Sequence, residues 1–197
     1  PASIPFQIPN NDLTWEKAKS LDFGLDISLF NRILINVDWY NKTTKGLLLN
    51  VPLPTTSGYS SVIQNVGSVK NEGIELNLTT KNFEGKDFKW ETRFNIAFNK
   101  NEVLVLNQGK DISTGDLRIS VGRDLYTWYF RKWAGVDPAN GNPLWENIAT
   151  DANGNRVVTT TNNYNLATLQ FTGKASPDFT GGISNVITYK SISLSAF

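Results

Sequence analysis

A chain of 197 residues with 40% apolar side chains can form one domain with a core of ordinary size. Its formal charge of +1 and 19% charged residues supply no basic field for nucleic acid, and the absence of Cys and His removes disulfide and thiolate chemistry along with the commonest metal ligand and general base. No apolar run approaches the roughly 18 to 20 residues of a spanning helix, which excludes a helical membrane protein and leaves a strand-built one open.

The chain opens on Pro1-Ala2-Ser3-Ile4-Pro5 without an initiator Met or leader, and it stops at Ile192–Phe197 in mid-alternation, so both ends read as cuts in a longer polypeptide. From 20 to 30, Leu21, Phe23, Leu25, Ile27 and Leu29 alternate with Ser20, Asp22, Gly24, Asp26 and Ser28, the period of a strand. After a tight connection at Asn31-Arg32, Ile33, Ile35, Val37 and Trp39 alternate with Leu34, Asn36, Asp38, Tyr40 and Lys42, which predicts a hairpin. Residues 43 to 72 read as a long loop. Within it, "NVGSVKNEG" (65–73) has two glycines but no strand-to-helix context for a phosphate cradle, and it reads as a loop re-entering the sheet.

A second hairpin follows: Ile74, Leu76 and Leu78 against Glu75, Asn77 and Thr79, a turn over 82–87, then Phe88, Trp90, Phe94, Ile96 and Phe98 against Lys89, Glu91, Arg93, Asn95 and Asn99. A long loop from 100 to about 178 contains one aromatic strand, Leu125–Phe130. A third hairpin begins with Ile183, Ile187 and Tyr189, turns at Lys190-Ser191 and enters Ile192, Leu194 and Ala196. Strands of about eleven residues span roughly 36 Å, and a tilt of about 45° turns that into about 25 Å, the height of a lipid-facing band. On this reading the lipid-facing set is Leu21, Phe23, Leu25, Ile27, Leu29, Ile33, Ile35, Val37, Ile74, Leu76, Leu78, Phe94, Ile96, Phe98, Ile183 and Ile187. Trp39, Tyr40, Phe88, Trp90 and Tyr189 lie near strand ends, where aromatic girdles sit. A soluble carbohydrate-binding β-sandwich alternates in the same way, and a passive porin-like barrel shares the layout.

The remaining motifs favour turns and ion pairs over chemistry. Asp137–Pro143 and Asp151–Asn155 have the alternate oxygens of calcium loops, but neither is followed by the required Glu, and Asn140-Gly141 and Asn153-Gly154 read as hairpin turns. Glu72, Glu75 and Glu91 could be offered as the source of a glycosidase carboxylate pair, yet Lys89 and Arg93 share the interior face with Glu75 and Glu91, so ion pairing in a wet interior accounts for them and no enzyme, metal or cofactor is expected. The densest aromatic cluster is Tyr126, Trp128, Tyr129, Phe130, Trp133 and Trp145, with Arg131 and Lys132 among them. Tyr126, Trp128, Tyr129, Trp133 and Trp145 are therefore the candidates for contact with a sugar or peptide, against a girdle strand with packed loop aromatics.

The segments "NDLTWEKAKSLDFGLDISLF", "DWYNKTTKGLLLNVPLPTTSGYSSVIQNVGSVKNEGIELNL", "FKWETRFNIAFNKNEV", "GVDPANGNPLW" and "GKASPDFTGGISNVITYK", in this order, closely resemble the C-terminal barrel of SusC/RagA-type TonB-dependent transporters. The resemblance covers nearly the whole chain, fades over 107–124 and 148–168, and departs at "LFNRILINV", about one residue tighter than the family's usual turn. It implies an all-β fold, an antiparallel transmembrane β-barrel of about 22 strands of which residues 1–197 hold about 7 or 8, with short periplasmic turns and long extracellular loops. It further implies the outer membrane of a Gram-negative cell and import of a glycan or peptide. The implied partners are a SusD-like surface lipoprotein and TonB, the latter acting through an N-terminal plug that has no counterpart here.

Overall fold

The computed structural model of the protein describes residues 8–197. Its strands, in chain order, are β1 (Lys17–Leu29), β2 (Ile33–Pro52), β3 (Ser61–Glu84), β4 (Phe88–Leu106), β5 (Ile112–Thr114), β6 (Leu117–Ile119), β7 (Thr127–Arg131), β8 (Trp133–Val136), β9 (Pro143–Thr150), β10 (Arg156–Thr161), β11 (Leu169–Lys174), β12 (Phe179–Tyr189) and β13 (Ile192–Ala196). The wall is a six-stranded antiparallel sheet in the order β1-β2-β3-β4-β12-β13.

Register sorts the wall into two faces. Directly opposed residues share a face, so Phe23, Trp39, Ile74, Phe98 and Phe179 form one row, Leu25, Val37, Leu76 and Ile96 a second, and Ile27, Ile35, Leu78, Phe94 and Ile183 a third. By the same register Leu21, Leu29, Ile33 and Ile187 lie on the face of these rows. The other face carries rows such as Asp26, Asn36, Asn77 and Asn95. Phe23 is 63% and Leu25 58% exposed, so among the described residues no second sheet covers the apolar face as a sandwich requires.

The strands run well past this band. β2 has 20 residues and β3 has 24, about 66 and 79 Å of chain. The loop predicted over 43–72 is therefore mostly strand, with only 53–60 between β2 and β3, and "NVGSVKNEG" lies inside β3. The reason is physical: beyond the apolar band both faces carry Lys, Thr, Asn and Glu, so the backbone pairs without hydrophobic alternation. Trp39 stands within its strand rather than near its end, and Tyr40 points to the polar face. Tight turns close the opposite end, at Phe30–Arg32, Gly85–Asp87 and Lys190-Ser191. The first has Phe30 (φ 54°) and Asn31 (φ 53°) both left-handed, with the Arg32 N–H donating to the Leu29 carbonyl at 3.0 Å, the primed turn that suits twisted hairpins.

A bulge at Gly46 (φ 69°) shifts the β2–β3 register and brings Leu47 and Leu49 over Gly67, on the polar-face side. There they pack on a small core of Val69, Val103, Leu106 and Ile112, with Ile119 and Leu125 at its edge. Val103 is fully buried.

That core seats the segment between β4 and β12. Residues 107–178 are not a single loop with one aromatic strand: they build a four-stranded sheet, β11-β7-β6-β5, and a three-stranded sheet, β10-β9-β8. The predicted strand at 125–130 is β7, shifted to Thr127–Arg131. The turns at Asn140-Gly141 and Asn153-Gly154 fold back β8–β9 and β9–β10 as read from the sequence, with Gly141 at φ 77° and Gly154 at φ 84°. The Val103 N–H donates to the Arg123 carbonyl and the Gly122 N–H to the Val103 carbonyl, each at 2.8 Å, tying this excursion to the β4 edge.

Candidate ligand-facing site

On the polar face several side chains are hydrogen-bonded to one another. The Tyr40 hydroxyl donates to Asn99 Oδ1 at 3.0 Å, Asn101 Nδ2 donates to Asn71 Oδ1 at 2.9 Å, and Asn101 Oδ1 accepts the Leu125 N–H at 2.8 Å. Tyr40 can reach across because Gly73 leaves room: a Cβ there would stand 2.6 Å from the Tyr40 hydroxyl oxygen and would also strike the Phe98 carbonyl. This chain of amides leads from the wall to the foot of the excursion. Glu91 is ion-paired to Arg93 at 2.7 Å, as the sequence suggests. Glu75 pairs opposite Ala97, about 20 Å along β4 from Glu91, too far for two carboxylates to flank one sugar bond. Among the described residues no group of His, Cys, Asp and Glu could hold a metal ion.

The predicted aromatic cluster divides. Tyr126 is exposed just before β7, and Trp128 and Phe130, 6.0 Å apart, share the β7 face that Trp128 presents beside Leu117. Tyr129 lies on the reverse face and meets Phe171 of β11 edge-on at 4.9 Å. Trp133 and Trp145 are register partners on β8 and β9, 6.0 Å apart, and Tyr164 packs on Trp145 at 5.2 Å. Phe171 and Tyr164 were not singled out in the sequence, because each joins a residue about 20 to 40 positions away. Three arginines lie against these rings, of which Arg131 is the one that the sequence places in the cluster. The Arg118 guanidinium lies 3.5 Å from the Tyr129 ring centre, Arg123 3.7 Å from Phe171, and Arg131 4.6 Å from Tyr164.

Two carboxylates hold the excursion's sheets. Lys132 Nζ and Gln170 Nε2 donate to Glu146 at 2.7 and 3.0 Å, and these donors, Lys132 first, hold its carboxyl below the ordinary 4.5. Asp151 accepts the Asn153 and Asn155 N–H groups at 2.9 and 2.8 Å, and its carboxyl is held below 3.8, chiefly by Asn155.

The family model for the TonB dependent receptor-like β-barrel matches residues 2–193. TonB-dependent receptor P39 of Formosa agariphila is 42% identical over 133 residues, 67% of this chain and 13% of the relative. TonB-dependent receptor SusC of Bacteroides thetaiotaomicron is 30% identical, covering 94% of this chain and 19% of the relative. The RagAB peptide transporter structure superposes with a TM-score of 0.81 at 34% identity, over 95% of this chain and 21% of that one. The chain thus spans 13% to 21% of the length of these relatives.

Proposed function

The chain belongs to the TonB dependent receptor-like β-barrel family, and from that premise we propose that it is a stretch of barrel wall, with one large extracellular excursion, of an outer-membrane transporter that imports a glycan or peptide. The observation that carries the reading is the two-faced wall. An apolar band between the Phe98 row and the Trp90–Phe88 end of β4 covers about 33 Å of strand, or about 25 Å once tilted, against a face of Asp, Asn and Tyr on the other side. The apolar set from Leu21 to Ile187 named above faces lipid, and the Tyr40–Asn99–Asn71–Asn101 chain faces a wet interior. The tight turns are periplasmic and residues 107–178 extracellular.

A plug and its TonB contact lie outside these residues and are expected from the family alone, as is a SusD-like lipoprotein over the extracellular mouth. One similar structure is that of a peptide transporter, and Tyr126, Trp128, Tyr129, Trp133 and Trp145 offer rings to peptide or sugar alike. The test is uptake of a labelled oligosaccharide or peptide by cells carrying the full-length protein. Accumulation that stops when TonB is deleted supports active import, whereas accumulation unchanged by that deletion makes the protein a passive pore.

A further inference from the structure

Arg118, Arg123 and Arg131 are stacked but not neutralised. The guanidinium carbon of each lies 3.5 to 4.6 Å from a ring centre, and N–H groups at the rim of such a contact can make a fork-like pair of bonds to an oxyanion. Among the described residues the sole carboxylate in ion-pair range of the three is Asp111, at 4.0 Å from Arg118 Nη1, the outer limit of such a contact. Asp124, next to Arg123 in the chain, is already committed to the Tyr126 N–H at 2.8 Å and the Ser176 hydroxyl at 2.9 Å. Arg131 uses Nε on the Ala167 carbonyl at 3.2 Å, while Arg118 Nε is buried without a protein hydrogen-bond partner among the described residues. A stack that served only to staple the sheet would not need an arginine with unspent donors.

The position is equally specific. Ile112 and Ile119, directly paired, turn one face of the β5–β6 end toward the wall core, and the Arg118–Tyr129–Phe171 face is the reverse one. Arg131 connects it, through Tyr164, to the Trp133–Trp145 pair, where Trp133 is 54% and Tyr164 47% exposed. Cationic forks beside open, flat rings match a ligand that alternates charge with flat C–H faces. We infer that this face of the excursion recognises an anionic oligosaccharide, one bearing carboxylates or sulfates, with Arg118 and Arg123 taking the oxyanions and Trp133 and Tyr164 the sugar faces. This rests on the transport reading above.

The test is equilibrium binding to the purified full-length protein in detergent, with hexagalacturonate, its methyl ester and a hexaglutamate peptide as probes. The acidic sugar is expected to bind about tenfold or more tightly than its ester, with an affinity that falls as salt rises. Joint Arg118→Gln and Arg123→Gln replacement should remove that preference, and joint replacement by Lys should restore it only in part, because the charge returns without the fork. Lys variants that keep the folded mobility on an unheated gel separate this loss from misfolding. Equal binding of acid and ester, an unchanged preference in the Gln variant, or capture of hexaglutamate in place of the sugar would each overturn the inference. Because binding is measured without energised cells, uptake that ignores TonB would sink the transport reading and leave this result standing.

Discussion

Replacing Leu78 with Arg tests which face of the wall meets lipid. Leu78 lies opposite Ile35 on one side and Phe94 on the other, and Phe94 is four residues from Phe98 and six from Phe88, the aromatic limits of the band on β4. That places Leu78 about 13 and 20 Å of strand, or about 9 and 14 Å of depth, from the two limits, close to the midplane. An arginine on the lipid face at that depth costs about 2 to 4 kcal/mol, a fall of roughly 30-fold to several hundred-fold in the folding equilibrium constant. Asn77, one residue away in the row of Asn36 and Asn95, is on the polar face, and Asn77→Arg should cost less than about 1 kcal/mol. The assay is denaturant titration of the full-length protein refolded into lipid vesicles, with the folded fraction read from mobility on unheated gels. Equal costs at the two positions would mean that neither faces lipid, and a larger cost at Asn77 would reverse the faces.

Three further outcomes follow from the same geometry. Gly73→Val should destabilise the wall by about 1 to 3 kcal/mol in the same titration, since its branched side chain displaces Tyr40 and strikes the Phe98 carbonyl, and Tyr40→Ser in the same molecule should recover part of the loss. Gly46→Val forces a β-branched residue to φ 69° and withdraws Leu47 and Leu49 from the Val69–Val103 core, so limited proteolysis should cut 107–125 faster while leaving the tight turns at the other end protected. Glu146 and Asp151 have carboxyls held below their ordinary 4.5 and 3.8, so their contribution to stability is complete above those values and is lost as the pH falls through them toward the lower folded values. Amide exchange at Asn153 and Asn155 should therefore accelerate relative to the wall below about pH 4, and Asp151→Ala should show fast exchange there at every pH.

The band was legible because one face of each strand is apolar and the other is not, which fixes both the period and the facing of residues such as Leu25, Val37 and Ile96. The polar continuations of β2 and β3 were illegible for the complementary reason: around Lys42, Thr44, Lys70 and Asn71 both faces are polar, so the strands pair without apolar alternation. Trp39 read as a strand end because the apolar pattern ends there, while the backbone continues to Pro52. On the apolar side, Thr92 donates to Asn185 Oδ1 at 2.7 Å and Trp90 Nε1 to the same oxygen at 3.1 Å, a polar patch beside the band that no local pattern announces. In the excursion, composition revealed aromatics but not their partners. Tyr129 finds Phe171 through the pairing of β7 with β11, and Arg118, Arg123 and Tyr164 all fall in the stretches 107–124 and 148–168, where the family resemblance fades.

The pairing of Phe98 with Phe179 bears on how such proteins diversify. β4 and β12 meet there across everything that lies between Leu106 and Phe179, and the entropy of closing a loop grows only with the logarithm of its length, about 0.6 kcal/mol for each doubling. Evolution can therefore lengthen, shorten or replace residues 107–178 at small thermodynamic penalty, provided that the Val103 seat is kept. The insert can change in sequence and length while the β4–β12 seam is inherited unchanged.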